Sequence, residues 1–230
     1  MKYDILLLDA DETLMDFPDA EHQALVRTFG EHGLSFDEQI DQLYQSINQG
    51  LWRQLERGEI TKDELLAARF ARLFEALHIE GIDSDEFNRK YLYNLGFGSR
   101  TMPDALETCR ALHQLGCRLY VLTNGVSATQ RRRLGASGLM PYLSDIFVSE
   151  EAGQPKPALA YFQYVFERIP EFEPSRALMV GDSLSSDMEG ARRAGLDACW
   201  FNAKGLINEK GIPIRYEIAA LPELIGIVEG

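Results

Sequence analysis

The chain predicts an α/β fold: a doubly wound parallel sheet interrupted by an inserted all-helical segment. Three observations carry this. Short apolar runs such as Ile5-Leu6-Leu7-Leu8 end abruptly in polar residues, the pattern of strands buried on both faces. From Pro103 onward such runs alternate with helical periodicity, as expected of parallel strands joined by crossover helices. Between residues 16 and 98 the apolar residues recur at helical spacing.

Each element follows from its residues. The first strand ends in Asp9-Ala10-Asp11-Glu12-Thr13, and Pro18 then opens a helix with Leu25, Val26 and Phe29 on its apolar face. A second helix carries Phe36, Ile40, Ile47, Leu51 and Leu55 as far as Gly58. Thr61 with Glu64 forms a capping box before the stripe Leu66, Phe70, Leu73, Leu77. Asp83 and Glu86 start a fourth helix, with Phe87, Tyr91 and Leu95, and Gly96–Ser99 reads as a hinge. The core therefore spans 1–15 and 99–230, with 16–98 as a helical insert expected over the edge that the first strand reaches. Beyond it come a helix closing at Gly116, a strand over 118–122 and a helix over 127–136. A strand over 145–149, a helix over 158–168, a strand over 177–180, a helix over 185–194 and a strand over 198–201 complete the series.

Composition narrows the function. The 230 residues are 45% hydrophobic and 26% charged, ordinary for a globular protein. A formal charge of −13 disfavours nucleic acid and anionic membranes as partners, and no obligate protein partner is evident. No apolar stretch reaches membrane-spanning length, and the N-terminus lacks a signal-peptide pattern. The three cysteines, Cys109, Cys117 and Cys199, include no C-x-x-C pair. A reduced, cytoplasmic setting with the cysteines buried is expected.

Several predicted strands end in chemistry. Asp9 and Asp11 end the first, Thr123 and Asn124 end the strand through Val121, and Asp182 ends the strand through Val180. Lys156 lies in the loop Gln154-Pro155-Lys156-Pro157. Parallel strands bring all of them to one rim, where open α/β sheets bind ligands. Together they supply a nucleophile, an acid/base, a hydroxyl, a cation and a further metal carboxylate, the set that phosphoryl transfer through an aspartyl phosphate requires.

D-A-D-E-T, L-T-N-G, Q-P-K-P and G-D-S-L-S-S-D, in this order, resemble the four motifs of the haloacid dehalogenase superfamily, a Rossmann-like core with, here, a first-type helical cap. The segments Asn48–Trp52, Glu56–Thr61 and Arg69-Phe70, with Glu12 and Cys199–Asn202, are similar to the pyrimidine 5′-nucleotidase branch. The resemblance implies that Asp9 attacks phosphorus while Asp11 protonates the leaving oxygen and later activates water. It implies Mg²⁺ held by Asp9, the Asp11 carbonyl and Asp182, because at ~4 Å and an effective dielectric of ~20 each pair of unit negative charges costs about 4 kcal/mol. Thr123, Asn124 and Lys156 would bind the phosphoryl group, and Asp187 and Thr13 would stand behind these residues and the metal. Asp11 favours phosphomonoester hydrolysis or phosphomutase chemistry over dehalogenation. Glu12, where most relatives carry Gly, is expected to tolerate a helical turn.

The expected substrate is a small phosphomonoester, a nucleoside 5′-monophosphate with pyrimidine preference. A sugar phosphate or other small metabolite, or phosphomutase action, are the alternatives. In the insert, Trp52 and Arg69 are the candidate specificity residues, each weighed against a place in the packed core. Arg131-Arg132-Arg133 reads as a solvated helix face, one of whose arginines could pair with local acids. His22, His32, His78 and His113 show no ligand spacing.

Overall fold

In the computed structural model, which describes residues 1–230, the strands are β1 (Ile5–Asp9), β2 (Arg118–Thr123), β3 (Leu143–Val148), β4 (Ala177–Gly181), β5 (Asp197–Phe201) and β6 (Tyr216–Ile218). They form one parallel sheet in the order β3-β2-β1-β4-β5-β6. The helices are α1 (Phe17–Glu31), α2 (Glu38–Glu56), α3 (Lys62–Leu77), α4 (Ser84–Leu95), α5 (Ala105–Gln114), α6 (Ser127–Ala136), α7 (Ser149–Ala152), α8 (Leu159–Phe166), α9 (Glu189–Ala194) and α10 (Glu223–Glu229). None is long and apolar enough to cross a membrane. The chain divides into two compact units, Met1–Phe17 with Ser99–Gly230, and Pro18–Gly98.

In the first unit the strand order reverses at β1, which lies between β2 and β4. That is the topological switch point, where ligands bind beyond the strand ends. Alternate side chains of β1 serve the two faces. Leu6 and Leu8 join Cys109 and Leu112 of α5 and Leu224 and Val228 of α10. Ile5 and Leu7 join Tyr161, Phe162 and Val165 of α8 and Ala191 of α9. Burying such aliphatic side chains contributes ~1.5–3 kcal/mol each, and a one-residue slip would exchange the two sets, so the register is strongly held. Asp9 lies opposite Leu122, and Leu8 opposite Val180, which levels the polar ends of three strands.

Some expectations shift. The helix over 185–194 is split into a wider π-type turn, Leu184–Met188, followed by α9. β6 and α10 were not foreseen, because β6 is only three residues long and follows a long loop. Glu12 is not in a helical turn; its φ of 60° is left-handed, which explains why Gly suits that position.

The second unit packs its helices around aromatic rings. Phe70 lies 5.2 Å from Tyr44, 4.8 Å from Phe87 and 5.2 Å from Tyr91. The Thr61–Glu64 capping box forms as expected, while Asp37 and Asp83 cap α2 and α4. Of the predicted α3 stripe Phe70 and Leu73 are buried, with Leu65 and Phe74 buried in place of Leu66 and Leu77, and Val26 of α1 is exposed. Inside this core sits Glu21, accepting hydrogen bonds from Asn48 Nδ2 at 3.0 Å and Tyr91 Oη at 3.4 Å. Burial, only partly offset by Arg69, pushes its carboxyl up to about 7. A raised folded-state value means that stability is full below the unfolded value of 4.5 and falls as pH rises to about 7, then levels. We expect Glu21→Gln to be more stable than wild type by about 3 kcal/mol at pH 8 in urea unfolding, the gap closing toward pH 4.5. A gap independent of pH would show that Glu21 is not the titrating group.

Candidate active site

The acids and the lysine converge. Lys156, only 1% exposed, stands at the centre. Its Nζ donates to Asp9 Oδ1 at 2.5 Å, to Asp187 Oδ1 at 2.7 Å and to the Leu122 carbonyl at 2.8 Å. An ammonium has three donors, and these partners use all three. The loop that delivers it is clamped by Asn124: Nδ2 donates to the Lys156 carbonyl at 3.0 Å, and the Lys156 N–H donates to Oδ1 at 2.8 Å. Asn124 thus holds in place the loop that carries the lysine.

Asp182 is held through its backbone. Its N–H donates to Thr13 Oγ1 at 3.2 Å, and its carbonyl accepts from Trp200 Nε1 at 2.8 Å. Thr13 itself is fully buried. Asp187 is reached through the π-type turn, and its Oδ2 accepts from the Ser183 N–H at 3.2 Å. A Cβ on Gly181 would lie 2.2 Å from Asp187 Oδ2, so only glycine admits this carboxylate.

Asp9, Asp182 and Asp187 offer carboxylate oxygens within 4.8 Å of one another. Three carboxylates thus stand together with one ammonium, which bonds to Asp9 and Asp187. Burial, eased by Lys156 and worsened by Asp187 and Asp11, pushes Asp9 up to about 7. Burial, reinforced by Asp9, Asp187 and Glu12, pushes Asp182 up to about 9. Burial opposes the Lys156 charge, but Asp187 and Asp9 outweigh it and hold the ammonium protonated. An all-oxygen donor set with surplus negative charge is what a hard divalent cation requires. Asp187 lies in this cluster and also accepts from the Lys156 ammonium. The side chain of Asp11 does not belong to the cluster.

Asp11 instead turns to α6. Its Oδ1 accepts from Arg133 Nη1 at 2.5 Å and its Oδ2 from Gln130 Nε2 at 2.5 Å. Gln130 Nε2 also donates to Thr123 Oγ1 at 2.9 Å, as does the Gly125 N–H at 3.0 Å. With both acceptor sites of its oxygen filled, Thr123 has its own O–H to direct elsewhere. Gln130 was not singled out from the sequence, whereas Arg133 is the arginine of the basic run that pairs with a local acid, as the sequence allowed. Arg131, by contrast, does lie partly exposed, paired with Glu151 at 2.7 Å. Glu12 pairs at 2.6 Å with Lys204, another residue the sequence did not flag.

The two insert candidates have ordinary surroundings. Trp52 is half-buried beside Leu51, Leu55 and Leu65. Arg69 is buried, its Nε donating to Asn88 Oδ1 at 2.7 Å and its guanidinium 4.6 Å from the Tyr91 ring centre.

A parallel sheet with acids at its switch point and a helical insert after β1 defines a class, and comparison names it. Residues 3–195 match the model of the haloacid dehalogenase-like hydrolases, so the chain belongs to that family: it is a hydrolase of the HAD-like phosphatase class, with an α/β core and an inserted helical cap domain. It is 42% identical to the HAD-hydrolase YfnB of Bacillus subtilis over 99% of this chain and 96% of that protein. It is 34% identical to the pyrimidine 5′-nucleotidase PynA of Streptococcus pneumoniae, over 100% of this chain and 96% of that one. The pyrimidine 5′-nucleotidase YjjG of Escherichia coli is also 34% identical, over 97% of each. A crystal structure of YfnB bound to magnesium superposes with a TM-score of 0.94, at 41% identity and with both chains fully covered.

The shared lysine gives a direct test. Lys156→Met keeps the volume but leaves two buried carboxylates without their cation, a change that typically costs ~3–5 kcal/mol. We expect that loss in urea unfolding at pH 8 with chelator present, shrinking at pH 5, where Asp9, pushed up to about 7, takes up its proton and no longer needs the cation. An equal loss at both pH values would contradict the charge pairing.

Proposed function

We propose that the protein is a Mg²⁺-dependent phosphomonoester hydrolase that works through an aspartyl phosphate and prefers pyrimidine nucleoside 5′-monophosphates. The observation that carries the chemistry is the gathering of Asp9, Asp182 and Asp187 around Lys156 at the end of β1, with Asp11 two residues on. The substrate preference draws support from the likeness to PynA and YjjG over nearly the whole chain.

In this reading Asp9 attacks phosphorus. Lys156 fixes its Oδ1, so the carboxylate is held in one orientation and part of the entropic cost of reaching the reactive geometry is met in advance. The bond from phosphorus to the leaving oxygen breaks, and Asp11 gives that oxygen its proton. Water then attacks the acyl phosphate, returns a proton to Asp11, and free phosphate leaves with Asp9 restored. The Thr123 O–H donates to a phosphoryl oxygen, its own oxygen being already satisfied. Asp9, Asp182, Asp187 and the Asp11 carbonyl would hold the ion. When bound, Mg²⁺ supplies the positive charge that offsets repulsion between carboxylates and the phosphoryl group. We place the enzyme in the cytoplasm, a reading supported by its three cysteines being free and buried.

Phosphate release from a panel of pyrimidine, purine and sugar monophosphates, with Mg²⁺, tests the reading. The highest kcat/KM is expected on pyrimidine nucleotides; a clear preference for sugar phosphates would replace the substrate, and no release from any ester would end the proposal. Asp9→Asn is expected to lower turnover by at least ~10⁴-fold, and retention of activity would remove Asp9 as nucleophile.

A further inference from the structure

We propose that Gln130 and Arg133, one helical step apart on α6, are positioning residues that set the orientation of the acid/base Asp11 and tie it to the phosphoryl-binding hydroxyl of Thr123. The inference deepens the phosphatase reading and rests on it. The two side chains are each 1% exposed. An i, i+3 spacing puts them on the same face of the helix, and from it they hold different oxygens of a single carboxylate.

Stability does not explain them. Buried ion pairs are often replaced by apolar residues of similar volume with no loss, or with a gain, because desolvation consumes the Coulombic attraction. Yet the Arg133 guanidinium is built in with care. Its Nη1 also donates to Gln130 Oε1 at 3.0 Å, and its central carbon lies 5.5 Å from the Phe17 ring centre. The local backbone makes room for Gln130: a Cβ on Gly125 would come within 2.4 Å of its Nε2. Only the target of this apparatus is partly open, since the Asp11 side chain is 27% exposed.

The geometry has a chemical consequence. A carboxyl group able to rotate freely spends much of its time with neither oxygen facing the leaving group. Arg133 and Gln130 gripping one oxygen each fix the plane of the group, so the remaining lone pairs and the exchanged proton have a defined direction. Gln130 does a second thing. Because one nitrogen donates to both Asp11 and Thr123, the acid/base and the phosphoryl-binding hydroxyl are held in fixed relation. In the forward step the Asp11 proton passes to the leaving oxygen as its bond to phosphorus breaks. In the second step the proton returns to Asp11 from the attacking water. The two residues take no part in either transfer and touch no reacting atom.

A leaving-group comparison reads this role. An alkoxide such as the 5′-oxygen of uridine 5′-monophosphate needs a proton as it departs, whereas p-nitrophenolate from p-nitrophenyl phosphate does not. Kinetics with Mg²⁺ on both esters would be measured for wild type, Arg133→Met, Arg133→Lys, Gln130→Met and the reference Asp11→Asn. We expect Arg133→Met and Gln130→Met to lose ~10–100-fold more kcat on the nucleotide than on the aryl ester, a fraction of the ~10²–10⁴-fold that acid–base catalysis supplies. Arg133→Lys, which keeps a donor and a charge, should recover most of that selective loss. Combining Arg133→Met with Asp11→Asn should add no further selective loss, because both act through the same carboxyl. Equal losses on the two esters, an effect confined to KM, or full additivity with Asp11→Asn would overturn the proposal while leaving phosphatase action intact. Wild type inert toward both esters would instead overturn the functional reading, and this proposal with it. Should Arg133→Met fail to fold, Gln130→Met carries the same comparison, since it keeps the buried volume and removes the shared donor.

Discussion

The structure of the catalytic edge depends on one ammonium group. Lys156 lies 147 residues from Asp9 and 31 from Asp187 in sequence, yet its Nζ meets both carboxylates and a strand carbonyl. Without it, Asp9 and Asp187 would be buried anions facing one another. Much of the surrounding sequence serves this meeting. Asn124 grips the lysine's backbone, and the missing side chain of Gly181 lets Asp187 approach. The π-type turn over Leu184–Met188 carries Asp187 inward, and Thr13 and Trp200 fix the backbone of Asp182 beside it.

Even so, one cation does not balance three acids. Burial and mutual repulsion hold Asp182 and Asp9 far above ordinary carboxylates, so the cluster stands in a state that an additional positive charge would relieve. Asp11 lives in different company. Arginine and glutamine reach it from α6, outside the cluster, so acids two residues apart have different hydrogen-bond partners. On our reading that difference divides the labour. Asp9 is kept for attack and ion binding, and Asp11 for moving protons.

What could be read from the sequence, and what could not, follows from where the information lies. Asp9, Thr123, Lys156 and Asp182 were legible because each sits where a buried strand or a proline-bounded loop stops, and parallel topology collects such places at one edge. The capping box at Thr61 was legible because it is local. That one of Arg131, Arg132 and Arg133 could meet a local acid was also legible, but not which one, because the chain does not show that Asp11 lies opposite Arg133. Gln130 gives no signal beyond its spacing from Arg133. The clamp that Asn124 puts on Lys156 was not legible, since its partner is backbone 32 residues away. Glu12 depended on a left-handed φ that no residue type announces except glycine. The rotation of α3 that buries Leu65 instead of Leu66 is a tertiary packing choice, beyond the reach of periodicity alone.

The central claim, that the Asp9–Asp182–Asp187 cluster is built for a divalent cation, is tested most directly by unfolding the protein at a series of Mg²⁺ concentrations. Binding to the folded state alone should raise the unfolding free energy by about 1.4 kcal/mol for each tenfold increase in Mg²⁺ above the dissociation constant. The increment should vanish in Asp182→Asn. Unfolding that ignores Mg²⁺ up to millimolar levels, or a variant that responds as wild type does, would contradict the account.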